Sequence, residues 1–227
     1  MSGSTTESSA ERFERDGVLV LPAFLSHAEA DRLAASLPNN VAGFRNTLRI
    51  PDVGTLANDA RIASLLRQLR PEPLCPVRGL FFDKNPAANW AVAWHQDVAV
   101  ALRERIDVTH FGPWSTKAGV VHAHAPTLLL ARMVTLRLHL DDCGPENGPL
   151  KVIPGSHSKG RLDDASLIYW PTKNGTECLV EKGGLVLISP LLLHASSPAR
   201  KPTHRPGGTS GIRTTHVTWR LAVGVLD

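Results

Sequence analysis

The 227-residue chain has only three cysteines, Cys75, Cys143 and Cys178, far apart and without a CxxC pair. So odd and dispersed a set excludes a disulfide framework and fits a reducing compartment. There is no block of basic residues either: 25 Lys and Arg are scattered against 21 Asp and Glu, for a formal charge of +4. With neither a basic arm nor a platform of stacking aromatics, nucleic acid is not an expected partner. The mild basicity points instead to an anionic substrate or cosubstrate. The opening MSGSTTESSAERFERDG has no apolar core of a secretory signal, and no apolar run is long enough to span a bilayer. The expected location is therefore the cytoplasm, with no membrane partner. Internal repeats are absent, and nothing in the sequence speaks to oligomeric state.

What remains is an ordinary globular composition, 42% hydrophobic and 20% charged, at a length that one domain with a sizeable core fills. Residues 1–9 are rich in Ser and Thr and read as a frayed tail, which leaves 10–227 as a single domain. FERDGVLVLPAFLS reads as a short helix, a glycine turn and a strand. Ser26–Glu29 is a capping box, followed by Leu33, Ala34 and Leu37 at helical spacing and stopped by Pro38. A second amphipathic helix is expected over Asn58–Arg70, with Ile62, Leu65, Leu66 and Leu69 on one face.

From Pro76 the period changes to that of strands separated by Pro, Gly and Asn turns. The clearest is 133–141, where Val134, Leu136, Leu138 and Leu140 alternate with Thr135, Arg137, His139 and Asp141. Its polar face, with Arg137, is expected to line a cavity. Helices first and strands afterwards suggest an α+β chain, mainly β, built as a barrel or two-sheet sandwich with helices on one side. Residues 98–131, with Arg103, Arg105, Trp114, Lys117, His122 and His124, follow no period and read as an irregular, substrate-side segment.

The chemistry concentrates in NWAVAWHQDVAV, residues 89–100. In a strand, residues two apart share a face, so His95 and Asp97 present an imidazole and a carboxylate side by side. That is two thirds of a 2-His-1-carboxylate triad, which leaves open positions on a non-haem Fe(II). GGLVLISPLLLHASSPA supplies the third ligand, His194, at the end of an apolar strand. His122 and His124 form a competing H-x-H pair suited to Zn or Cu. They lie in an alanine- and proline-flanked stretch with no carboxylate or cysteine nearby, which favours a pocket wall or surface loop. His139 and His157 read as structural, Lys84 as structural or exposed. Trp90 and Trp94 share a parity that His95 does not, and are expected in the core behind the metal-bearing face.

WHQD after FFDKNP, then LHLDDCGPENGPLKVIPGSHSKG, then LLLHASSPA resemble the phytanoyl-CoA dioxygenase-like branch of the Fe(II)/2-oxoglutarate oxygenases, in the family's order and over residues 10–205. The resemblance implies a double-stranded β-helix (a cupin-like jelly-roll) with N-terminal helices packed on one sheet. It implies iron held by His95, Asp97 and His194, with 2-oxoglutarate and O2 as cosubstrates. The implied activity is hydroxylation of a small molecule with release of succinate and CO2. Related halogenases lack the carboxylate, so Asp97 favours hydroxylation or desaturation. Within ENGPLKVIPGSH, Asn147–Gly148 signals a hairpin and Pro154–Gly155 a tight turn, so this motif shapes the sheet beside the metal.

A 2-oxoglutarate distal carboxylate calls for a bidentate Arg. In the family that Arg follows the distal His by about ten residues, and Arg205 has the matching spacing. Yet Pro206, Gly207 and Gly208 cannot begin a central strand, and the strand-like TTHVTWRLAV follows Arg213. Three readings stand: Arg205 holds the cosubstrate, Arg213 does so through a longer loop, or the sequence over 206–227 is altered and binding is impaired. Continuity of the resemblance through HASSPARKPTHR favours Arg205. Ser196 resembles a position that helps hold the same carboxylate. Rival functions are a cupin-type metalloenzyme without 2-oxoglutarate and a ligand-binding family member with impaired catalysis.

Overall fold

The structure, a computed structural model, describes residues 7–39, 41–85, 88–106, 108–200 and 212–221. Two capping boxes start its first helices. Ser8 accepts from the Glu11 amide while Glu11 accepts from the Ser8 amide, opening α1 (Ser9–Asp16); Ser26 and Glu29 open α2 (His27–Ser36) in the same way. The first helix thus begins inside the stretch expected to fray, because Glu11 completes a box that the Ser/Thr-rich run conceals. The helix expected over 58–70 is the second of a pair, α3 (Pro51–Ala57) and α4 (Ala60–Leu69). The Asp59 side chain accepts from the Arg61 amide and starts α4 afresh.

The described strands are β1 (Val18–Leu21), β2 (Gly43–Arg45), β3 (Leu74–Lys84), β4 (Val92–His95), β5 (Ala99–Leu102), β6 (Trp114–Lys117) and β7 (Val120–His124). After the short helix α5 (Thr127–Ala131) come β8 (Val134–His139), β9 (Leu150–Val152), then α6 (Asp164–Ile168), β10 (Thr176–Cys178), β11 (Leu185–Ile188), β12 (His194–Ser196) and β13 (Ile212–Leu221). They form three antiparallel sheets: a major one in the order β1-β11-β8-β13-β3-β2, a minor one β10-β9-β12-β4, and a small one β5-β7-β6. The chain is therefore mixed α+β, as its pattern implies.

Strand parity sorts the major sheet's two faces. Leu136, Leu138, Leu185, Leu187 and Val217 pack with Phe13, Leu33, Val53 and Leu66, so α1–α4 cover one face. Val186 and Ile188, on the opposite parity of β11, meet Leu150, Val152 and Leu192 of the minor-sheet side. β11 is consequently apolar on both faces, which is why LVLI reads as an unbroken run. Farther along the same inter-sheet space the packing opens into a cavity, and Arg137 of β8 lines it as its parity requires.

Two expectations give way here. Residues 98–131 are not irregular: they hold β5–β7 and α5. Strands of only four or five residues, broken by the Gly112–Pro113 turn and an Ala118–Gly119 turn at φ 50° and 74°, are too short to set up a visible period. Asn147–Gly148 is not a hairpin, because β8 and β9 belong to different sheets. A 3-10 turn at Pro145–Asn147 and Gly148 at φ 65° carry the chain across, and a Cβ on Gly148 would stand 2.3 Å from the Ser197 carbonyl oxygen.

At the C-terminal end, β13 is a central strand between β8 and β3. It starts at Ile212, somewhat before the TTHVTWRLAV run, and sets Arg213 opposite Asp83 of β3. Arg205 lies outside the described residues.

Candidate metal centre

β4 stops at His95, and Asp97 sits in the break before β5. NWAVAWHQDVAV is thus two short strands of different sheets rather than one. The break is fixed by backbone and side chain together. The Asp97 amide donates to the Pro190 carbonyl at 2.8 Å. Gln96, buried between the two acid–base residues, donates from Nε2 to the carbonyls of Gly160 (2.9 Å) and Leu191 (2.6 Å) and accepts from the Leu162 amide (2.8 Å). One amide side chain therefore ties the His95–Asp97 turn to two other segments. Sequence pattern alone gives it no signal beyond a polar residue of opposite parity to its neighbours.

β12 brings the third residue. It pairs with β4 so that His194 lies opposite His95, and with β9 so that the ENGPLKVIPGSH segment forms its other border. The Leu193 amide donates to Ser156 Oγ at 2.9 Å, which is how PGSH steadies the residue before His194. The two imidazole centroids are 4.2 Å apart, tilted by 52°. Asp97 spans them, its Oδ1 3.9 Å from His95 Nε2 and its Oδ2 3.8 Å from His194 Nε2.

The donor atoms suit a divalent transition metal. One ligating atom from each of His95, Asp97 and His194 lies within 4.8 Å of the others, and no other such group occurs among the described residues. Each histidine Nδ1 stands 2.8 Å from a backbone carbonyl, of Ala93 and Leu192 respectively. A carbonyl can only accept, so Nδ1 carries the hydrogen and Nε2 presents its lone pair to the common point. Burial pushes His194 below the ordinary imidazole range, against the pull of Asp97, which keeps it in the neutral, ligating form. Two imidazoles and one carboxylate on one side, facing a cavity on the other, match the donor set of a non-haem Fe(II).

His122 and His124 gather no such company. His122 is buried on β7 with Nδ1 bonded to the Val120 carbonyl, while His124 interacts with Arg161.

The metal-facing cavity has a volume of about 220 Å³. Lys84 lines it and is buried rather than exposed, because β3 runs to its last residue inside the sandwich. Its Nζ donates to Ser196 Oγ at 3.0 Å and to the Ser197 carbonyl at 2.8 Å. Burial, reinforced by the nearby Arg137, lowers its pKa to about 8. The buried Arg137 Nε has no hydrogen-bond partner among the described residues. Trp90 also lines the cavity rather than the core behind it, as does Val92 of the same parity, because the β4–β12 register slips by one residue between His95 and Val92; Trp94 covers Gly175 instead.

Residues 13–207 match the family described as Phytanoyl-CoA dioxygenase (PhyH). The chain belongs to this family. The family is one of Fe(II)/2-oxoglutarate oxygenases, and the donor set of His95, Asp97 and His194 fits the Fe(II) that the family uses. Ectoine dioxygenase of Stutzerimonas stutzeri (strain A1501) is 28% identical over 168 residues, covering 65% of this chain and 49% of that protein. The chain thus spans about half the length of that curated relative. Among solved structures, the non-heme alpha ketoglutarate dependent carbocyclase SnoK from nogalamycin biosynthesis superposes with a TM-score of 0.69 at 15% identity, over 96% of this chain and 85% of that one. HygX from Streptomyces hygroscopicus, with nickel and 2-oxoglutarate bound, gives 0.64 at 18% identity, over 96% and 88%. These likenesses establish the fold shared by PhyH-type enzymes. No helix among the described residues is long and apolar enough to cross a membrane.

Proposed function

We propose that this PhyH-family chain hydroxylates a small molecule, coupling the reaction to decarboxylation of 2-oxoglutarate to succinate and CO2. The observation that carries the reading is three ligating atoms within 4.8 Å of one another on the wall of a cavity that also holds two buried cations. The major and minor sheets are read as the double-stranded β-helix of such enzymes, with His95, Asp97 and His194 as the iron ligands. Fe(II) held there supplies O2 activation and oxidation of the cosubstrate.

The chain's own residues do the positioning. The Ala93 and Leu192 carbonyls hold each imidazole in the ligating tautomer, and Gln96 holds the turn that sets Asp97 against both. Lys84, Ser196 and Arg137 form the cationic, donor-rich wall that suits the far carboxylate of 2-oxoglutarate. Ser196 Oγ accepts from Lys84, which leaves its own hydrogen to donate to that carboxylate. Arg205 is retained as a further partner, with Arg213 as its alternative. Purified protein with Fe(II) and 2-oxoglutarate in air is expected to form succinate, and His95→Ala, Asp97→Ala and His194→Ala to form none. Succinate formation undiminished in any of these variants overturns the ligand set.

A further inference from the structure

A second cavity, of about 190 Å³, adjoins the metal cavity and shares Arg45, Val77, Arg78, Leu80 and Ala101 with it. It is bordered by Arg45, Arg49, Arg78 and Lys117, with His122 buried in its wall, and by no carboxylate among the described residues. Three separate elements bring these cations together. Arg45 ends β2 opposite Leu80 of β3, Arg78 lies on β3 itself, and the β6–β7 hairpin contributes Lys117 and His122. The 3-10 turn at Thr47–Arg49 closes the fourth side, entered through Asn46 at φ 63°. Gly79 allows that close approach: a Cβ there would stand 2.3 Å from Thr47 Oγ1 and 2.9 Å from the Leu48 amide nitrogen.

Folding has gathered like charges without neutralising them. No ion pair or side-chain hydrogen bond among the described residues engages Arg45, Arg49, Arg78 or Lys117. The carboxylate that Arg78 feels is Asp97, whose oxygens face the two histidines. His122 registers the resulting field: burial lowers its pKa first, and Arg78, Lys117 and Arg45 lower it further. Four cations without a partner among the described residues border one partly open cleft, Arg78 half-buried and Arg45, Arg49 and Lys117 exposed, and such a one-signed lining suits a ligand that supplies the opposite charge.

We infer that this annex binds a multiply charged anionic group of the substrate, a phosphate ester or a polycarboxylate, while the carbon to be oxidised reaches through the shared opening toward His95, Asp97 and His194. The inference rests on the oxygenase reading for the metal cavity and adds the substrate class. A single carboxylate would leave most of the four cations uncompensated, and the cosubstrate's own carboxylate has Lys84, Arg137 and Ser196 in the other cavity. Arg78, at the junction, is the specificity-determining contact.

The test is calorimetric titration of the full chain loaded with Ni(II) and saturating 2-oxoglutarate, so that no turnover intervenes. Phenylphosphonate and 1,2,3-propanetricarboxylate serve as probes at low ionic strength. One of them, or both, is expected to bind saturably with one site per chain, the preferred probe distinguishing phosphate from polycarboxylate. Arg78→Gln and Arg45→Gln should each weaken binding at least tenfold, Arg78→Lys should stay within threefold, and the distant Arg132→Gln should have no effect. Absence of saturable binding by either probe, or parental affinity in the Arg45→Gln and Lys117→Gln surface variants, overturns the inference. The 2-oxoglutarate affinity, titrated separately, should be the same in Lys117→Gln and Arg132→Gln, neither of which lines the metal cavity. If the parent fails to bind 2-oxoglutarate but binds a probe, the cosubstrate reading falls and the anion site stands.

Discussion

Replacing Gln96 with Leu keeps the volume of the side chain and removes all of its polar atoms. Three hydrogen bonds disappear: the buried Leu191 carbonyl and the half-buried Gly160 carbonyl and Leu162 amide lose their partner. Each bond contributes about 1 kcal/mol net, and the loss is largest at Leu191, which water cannot reach. A loss of about 3 kcal/mol is therefore expected, equivalent to a fall in Tm of roughly 6–12 °C for a chain of this size. The more specific consequence lies at the metal. Gln96 sits between His95 and Asp97 and binds the residue three before His194, so its loss frees all three candidate ligands from a common anchor. Metal affinity should fall by about 10- to 100-fold, as for other groups that orient ligands from behind. Urea unfolding gives the first quantity, and Ni(II) titration under conditions where the variant is fully folded gives the second. A stability change under about 0.5 kcal/mol, within the range of ordinary surface substitutions, together with parental metal affinity, would refute the anchoring role.

Three further outcomes follow from the same geometry. Lys84, with its pKa lowered to about 8, is charged below that pH and neutral above it, so the KM for 2-oxoglutarate should rise several-fold as pH passes from 7 to 9. In Lys84→Arg, which keeps its charge throughout, steady-state kinetics should show a flat profile over that range. Gly148→Ala puts a Cβ 2.3 Å from the Ser197 carbonyl at φ 65°, so it should cost at least about 1 kcal/mol in denaturant unfolding and raise the 2-oxoglutarate KM by displacing Ser196–Ser197. Leu187→Ala, deep in the helix-facing core, should lower stability by about 2–5 kcal/mol in urea while the folded fraction keeps its metal affinity.

The sequence exposes features whose cause is local. His95 and Asp97 are legible because two costly side chains interrupt an apolar stretch at a spacing of two, and His194 because three leucines lead up to it. The alternation in β8 likewise declares its core face and places Arg137 on the cavity side. Non-local causes leave weaker marks. Lys84 looks like any lysine at the end of a strand until β12 is laid near it and Ser196 accepts its hydrogen bond. Gln96 acquires its role from Gly160, Leu162 and Leu191, all more than sixty residues away in sequence. Arg45, Arg78 and Lys117 meet through two sheets and a hairpin, and no spacing rule links them. The small sheet β5-β7-β6 escapes pattern reading because its strands are shorter than a usable window, whereas the buried strand β11 announces itself in four residues.

The central claim is that His95, Asp97 and His194 hold an iron to which 2-oxoglutarate binds beside Lys84, Ser196 and Arg137. Its most direct test is anaerobic: Fe(II) is added to the metal-free protein, 2-oxoglutarate is titrated in, and visible absorption is followed. A charge-transfer band should grow to saturation at one equivalent of iron, require both additions, and be missing from His194→Ala. A parent protein that develops no band, or a His194→Ala variant that develops the parent's, would contradict the account.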